Sequence, residues 1–182
     1  MRTPLFFLAL ISAIHFLTSC CCWAVEKDVW EQVSHNVRLL RHEDGTRTEY
    51  RRSNDEKTLV KRRLSDVKGG RDSIISTTIY RMDASGNPLS CKIYDGKENL
   101  LYKVAYGYHK KTGRLLAEDM FDARAPKRGP DGKEIPVRRM YWFYDANGNV
   151  SKAFSFVFRK GKYAEEMYDK SKSSFPENPF KN

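Results

Sequence analysis

The chain has 182 residues, with 33 Lys and Arg against 23 Asp and Glu, a net charge of +10 and a mean hydropathy of −0.66. That length allows one domain with its own core, so neither disulfides nor a metal are needed for folding. An aromatic content of 13% excludes a wholly disordered chain.

The N-terminus reads as an export segment. Arg2 precedes an apolar run from Leu5 to Leu17, which is shorter than the roughly 20 residues that span a bilayer as a helix. A basic start, a short apolar centre and small residues after it are the grammar of a signal peptide. Leu17-Thr18-Ser19-Cys20 resembles the lipobox of bacterial lipoproteins. The resemblance implies cleavage before Cys20 and attachment of a diacylglycerol to its sulfur, a membrane anchor. Cys21 rather than Asp follows, which in that family points to the outer membrane facing the periplasm. The competing reading is cleavage after Cys22-Trp23-Ala24 and secretion of a soluble protein starting at Val25.

Residues 20–35 are expected to form a tether or a short helix, because Val25, Val29, Val33 and Val37 recur every four residues. The segment around Trp30 is a candidate cover for a sheet. From residue 36 to 165 the expectation is a mainly β fold, a twisted antiparallel meander of hairpin repeats. Strands are expected over 37–41, 46–52 and 58–64. Asp44-Gly45 predicts a type I′ turn, and Gly69-Gly70 a chain break.

Beyond residue 74, Tyr80, Tyr94 and Tyr108 recur every 14 residues, as do Tyr144 and Phe158. Asp83-Ala84-Ser85-Gly86-Asn87 matches Asp145-Ala146-Asn147-Gly148-Asn149, and Lys111 to Leu115 plays the same part with an extra residue. An Asp side chain accepts backbone N–H groups two residues on, and Gly takes the left-handed conformation. Alternation places Leu89, Cys91 and Ile93 on one strand face, and likewise Thr78, Tyr80 and Met82, then Tyr102, Val104, Tyr106 and Tyr108, then Val150, Phe154, Phe156 and Phe158. Cys91 reads as a small buried hydrophobe.

These units resemble the YD repeats of RHS-type cell-surface proteins, Tyr144 to Val150 most closely, and are similar to MORN-type repeats. The resemblance implies an extracytoplasmic structural or binding module without catalysis. From Phe121 to Tyr144 the repeat is interrupted by a Pro/Gly-rich loop, Arg124 to Pro136. Long insertions of this kind often carry function. The end of the chain, residues 166–182, reads as a disordered tail.

Chemical motifs are sparse. Asp145, Asn147 and Asn149 have calcium-loop spacing, but Val150 and Phe156 stand where such a loop needs Gly and Glu. The turn reading therefore prevails. His35, His42 and His109 have no second ligand at metal spacing, so no metal and no cofactor are expected. Glu118 and Asp119 are candidate acid–base groups without an evident partner.

The basic excess lies late: residues 123–182 hold 13 basic and 7 acidic residues. Lys127, Arg128, Lys133, Arg138 and Arg139, with Tyr106 and Tyr108, are therefore the candidate binding residues for an anionic glycan, a lipid headgroup or an envelope protein. Nucleic acid is not expected for an exported chain. The leading expectation is a lipid-anchored, non-enzymatic envelope protein that presents a basic loop. The alternatives are an envelope hydrolase with a divergent site and an interaction module acting through sheet edges.

Overall fold

The computed structural model describes residues 28–65, 73–158 and 172–181. The signal segment, Cys20, residues 20–27, the Gly69-Gly70 break and the stretch 159–171 lie outside these. Ten strands follow one another in chain order: β1 (Val29–Ser34), β2 (Val37–Arg41), β3 (Arg47–Arg52), β4 (Thr58–Ser65), β5 (Ser73–Met82), β6 (Pro88–Asp95), β7 (Leu100–Tyr108), β8 (Leu115–Asp122), β9 (Arg138–Tyr144) and β10 (Val150–Val157). They form one antiparallel sheet in the order β1 to β10, the meander expected from the alternation. β1 and β10 are its edges.

The turns show why the chain reverses where it does. In five of the hairpins one residue donates its N–H to the carbonyl four residues on, and accepts from the N–H three residues on. His42, Asp83, Asp95, Gly129 and Asp145 hold that first place. The left-handed position falls on Gly45, Gly86, Glu98, Gly132 and Gly148. This is a three-residue loop, a type I turn closed by a left-handed residue. It corrects the type I′ turn expected at Asp44-Gly45. There only Gly45 has positive φ, because the Asp44 carboxylate accepts the Thr46 N–H and hydroxyl and folds the turn forward. Asp145 likewise accepts the Asn149 N–H, so its oxygen is used by the turn. The His109–Arg114 turn carries the extra residue read from the sequence.

The N-terminal region differs from expectation. Val29 to Ser34 is a strand paired with β2, not a helix, and no helix occurs among the described residues. A four-residue spacing keeps side chains on one face of a strand as well as of a helix, so the valine pattern is ambiguous. Trp30 is part of the sheet and packs its ring 5.4 Å from that of Tyr50; it does not cover the sheet.

Strand alternation gives the sheet two faces. Across β3 to β9, Arg52, Leu59, Tyr80, Cys91, Val104, Met120 and Arg138 stand directly opposite one another. From Leu59 onward this row is buried. It belongs to a core that also contains Tyr50, Ile93, Tyr102 and Tyr106. Leu89 does not join Cys91 and Ile93 as expected. A register shift at the start of β6 pairs Met82 with Pro88, so Pro88 turns inward and Leu89 is exposed. The Phe154 and Phe156 row also leaves the core, on the opposite face and exposed.

A one-layer sheet must cover its apolar face. Residues 172–181 do so. Ser174 is buried, and Phe180 packs against the core with the guanidinium groups of Arg38 and Arg52 5.0 and 4.9 Å from its ring centre. Residues 172–181 of the expected disordered tail are thus a strap laid across the strands. Among the described residues no strap crosses the other face, called the open face below.

Candidate functional site

The deepest polar cluster lies under the strap. Glu118 of β8 is fully buried. One of its oxygens accepts from Arg138 Nη2 at 2.5 Å, the other from the Ser173 hydroxyl and from the Ser174 N–H at 3.1 Å. Arg138 also donates to the Lys172 carbonyl. The Ser174 carbonyl accepts from the Tyr80 and Tyr106 hydroxyls at 3.0 and 3.1 Å. Cys91 Sγ lies 3.4 Å from the Tyr106 hydroxyl. Burial pushes the Cys91 thiol up to about 12 and raises the Tyr106 phenol strongly. Both stay protonated at neutral pH. The cluster recognises the strap's backbone, and its carboxylate is enclosed by its own donors. It holds the fold closed and offers no access to a substrate.

A cleft of about 700 Å³ lies at the β3–β4 and β5–β6 turns beside Phe180 and Lys181. Its carboxylates are engaged locally. Asp55 accepts from the Ser53 hydroxyl and the Lys57 N–H, which hold its carboxyl below the usual range. Asp83 accepts from Ser85 and Asn87, and Glu56 pairs with Arg52 at 2.8 Å.

The sequence-selected residues do not converge. Lys127, Arg128 and Lys133 are exposed on the insertion, which forms a small hairpin closed by a bridge between Arg128 and Glu134. Glu134 pins this hairpin to the open face through Lys103 Nζ at 2.8 Å, and Val137 buries its base. Arg139 lies on the open face, where its guanidinium clasps the Asp119 carboxylate. Arg138 and Tyr106 are corrections: both are buried on the covered face, because strand parity and the register with β8 turn them toward the strap. Tyr108 is half-buried and donates to the Pro88 carbonyl at 2.6 Å.

The sequence reading overlooked the open face. By register, Arg41 and Arg47 stand opposite each other there, as do Lys92 and Lys103. Arg51, Arg62 and Arg81 share that side. Arg81 and Lys92 are exposed and have no acidic partner among the described residues. Like charges directly opposite cost stability; here Glu31 pairs with Arg41, Glu134 with Lys103, and Glu49 with Arg51 and Arg62. The signal was present in the alternation, since Arg51, Arg81, Lys92 and Lys103 each stand between two core-facing positions of their strands. Among the described residues no group of three His, Cys, Asp or Glu side chains is placed to hold a metal ion.

No family model matches the chain, and no curated protein matches it. Among solved structures it is similar to a porin-like protein from Bacteroides uniformis, with 12% identity and a TM-score of 0.28, over 64% of this chain and 49% of that one. The chain thus spans about half the length of that protein.

Proposed function

We propose that this chain is a non-enzymatic protein of the cell envelope, exported by its N-terminal segment and held at a membrane through lipid on Cys20. Its sheet presents basic groups to an anionic envelope partner. One observation carries the binding role: exposed Lys127, Arg128 and Lys133 stand on a hairpin braced against the open face by the Glu134–Lys103 pair. That face itself carries Arg81 and Lys92 without acidic partners among the described residues. A braced cationic hairpin meets a polyanion with little ordering cost.

Two experiments test this reading. Radiolabelled palmitate enters the wild-type chain and not Cys20→Ala; absence of label in the wild type removes the anchor. The chain binds an anionic matrix at low salt and leaves it near 1 M salt, where screening shortens to about 3 Å. Charge reversal of Lys127 and Arg128 weakens retention. Retention that ignores both salt and charge reversal refutes the basic contact.

A second reading, partner binding through a sheet edge, has its own support. Every residue of β10 is exposed, and the strand has no Pro and one Lys, Lys152. Proteins usually blunt such edges with charge or Pro. Placing Pro at Ser155 would abolish binding of a strand-adding partner and leave anion binding intact.

A further inference from the structure

On the open face, Gly107 of β7, Ala117 of β8 and Tyr141 of β9 stand directly opposite one another. The first two have almost no side chain, so the surface sinks toward the backbone beside standing aromatic rings. The result is a shallow depression of about 520 Å³ lined by Gly107, Leu116, Ala117, Tyr141, Trp142 and Phe143, among others. Adjacent strands lie about 4.8 Å apart, so a floor of two strands beside the Tyr141 wall is about the width of one sugar ring.

The aromatic wall is pre-set. Tyr141 packs edge-to-face on Phe156 at 6.1 Å and 74°, and Phe143 on Phe154 at 5.5 Å and 88°. These rings hold each other upright, while Phe143 remains 52% exposed. Two cations stand against this wall. Lys152 lies 4.8 Å from the Phe154 ring centre and Arg139 5.8 Å from that of Tyr141. Arg139 is held by Asp119. Lys152 has no carboxylate partner among the described residues.

We infer that this depression is a subsite for an acidic polysaccharide whose sugar rings carry carboxylates. The apolar face of a sugar ring packs against Tyr141 and Phe143 over the Gly107–Ala117 floor, and the ring carboxylate takes the free donors of the Lys152 ammonium. The inference rests on the anionic-partner reading above, and places the selective contact on the sheet, away from the basic hairpin.

The test is calorimetric titration of the whole chain with oligogalacturonate, the neutral malto-oligosaccharide of equal length and phosphatidylglycerol vesicles. Gly107→Leu fills the floor. A Cβ there would meet only ordinary contacts at 3.7 and 3.9 Å from Ala117, so this variant keeps its thermal unfolding. Gly107→Leu and Tyr141→Ala should each weaken oligogalacturonate binding at least about ten-fold, a loss of about 1.4 kcal/mol. The neutral sugar should bind far more weakly, and the vesicles should not compete. Wild-type affinity in Gly107→Leu, equal affinity for the neutral sugar, vesicle competition or no oligogalacturonate binding each overturns the inference. If charge reversal of Lys127 and Arg128 still releases the chain from an anionic matrix, the proposed function survives that failure; if it does not, both fall.

Discussion

The two faces of this sheet come from the same strands and serve opposite ends. The covered face buries Tyr50, Leu59, Tyr80, Ile93, Tyr102 and Tyr106 and closes over them with the strap 172–181. The open face carries Arg51, Arg62, Arg81, Lys92 and Lys103 at the intervening positions. A strand places alternate residues on opposite sides, so one side can be spent on cohesion and the other on recognition. Substitutions should therefore be costly on the first and mild on the second.

Alkali should separate the faces most widely. Burial raises Tyr50, Tyr106, Tyr108 and Cys91, all in or beside the covered core. A group that binds its proton more tightly when folded stabilises fully below its unfolded value, and that contribution is lost as pH rises toward the folded value. The window opens near pH 8.5 for a thiol and about 10 for a phenol. Tyrosinate absorbance and loss of circular dichroism should rise together above about pH 10. Smooth phenol titration with the sheet intact would show that the covered face is not the cohesive one.

Single substitutions should follow in order. Glu118→Leu leaves Arg138 buried without its carboxylate, and should cost about 3–5 kcal/mol in denaturant unfolding. Tyr106→Phe removes the hydroxyl that donates to the Ser174 carbonyl and should cost about 1–2 kcal/mol. On the open face Lys92→Glu replaces a like-charge pair opposite Lys103 by an opposite one, and should stabilise by about 0.2–1 kcal/mol. A loss of several kcal/mol there would erase the contrast between the faces.

Acid acts through the turns and spares the contrast. Hydrogen bonds from Thr46, Ser53, Asn99 and Asn149 hold Asp44, Asp55, Asp95 and Asp145 below the usual carboxylate range. Carboxyls lowered by folding stabilise above their unfolded value, about 3.9, and that contribution is lost as pH falls through the folded value. The circular dichroism of the sheet should hold to about pH 4 and weaken below it. Weakening at pH 5 to 6 would assign the sensitivity to other groups.

The legible parts of this molecule were the local ones. A turn such as Asp83 to Asn87 is written within five residues, because the carboxylate and the amides it accepts from are neighbours. Strand alternation likewise needs no distant partner. The strap was illegible for the opposite reason. Ser-Ser-Phe-Pro-Glu-Asn-Pro-Phe reads as a solvated tail, and its partners are remote: Ser174 meets Tyr80 94 positions away and Glu118 56 positions away. Glu118 and Asp119 are adjacent carboxylates in sequence. Only the fold sends one inward to Arg138 and the other outward to Arg139.

The candidate site shows the same division. The basic character of the chain and the exposure of Lys127, Arg128 and Lys133 followed from composition and from a Pro/Gly-rich insertion. That Arg138 and Tyr106 are internal, and that Gly107, Ala117 and Tyr141 meet to form a recess, depended on the register between strands. Spacing along the chain specifies where it turns and which residues share a side, since these are set within a few residues. Which side is covered, and what covers it, is a matter of long-range pairing, where one shift of register exchanges inside for outside.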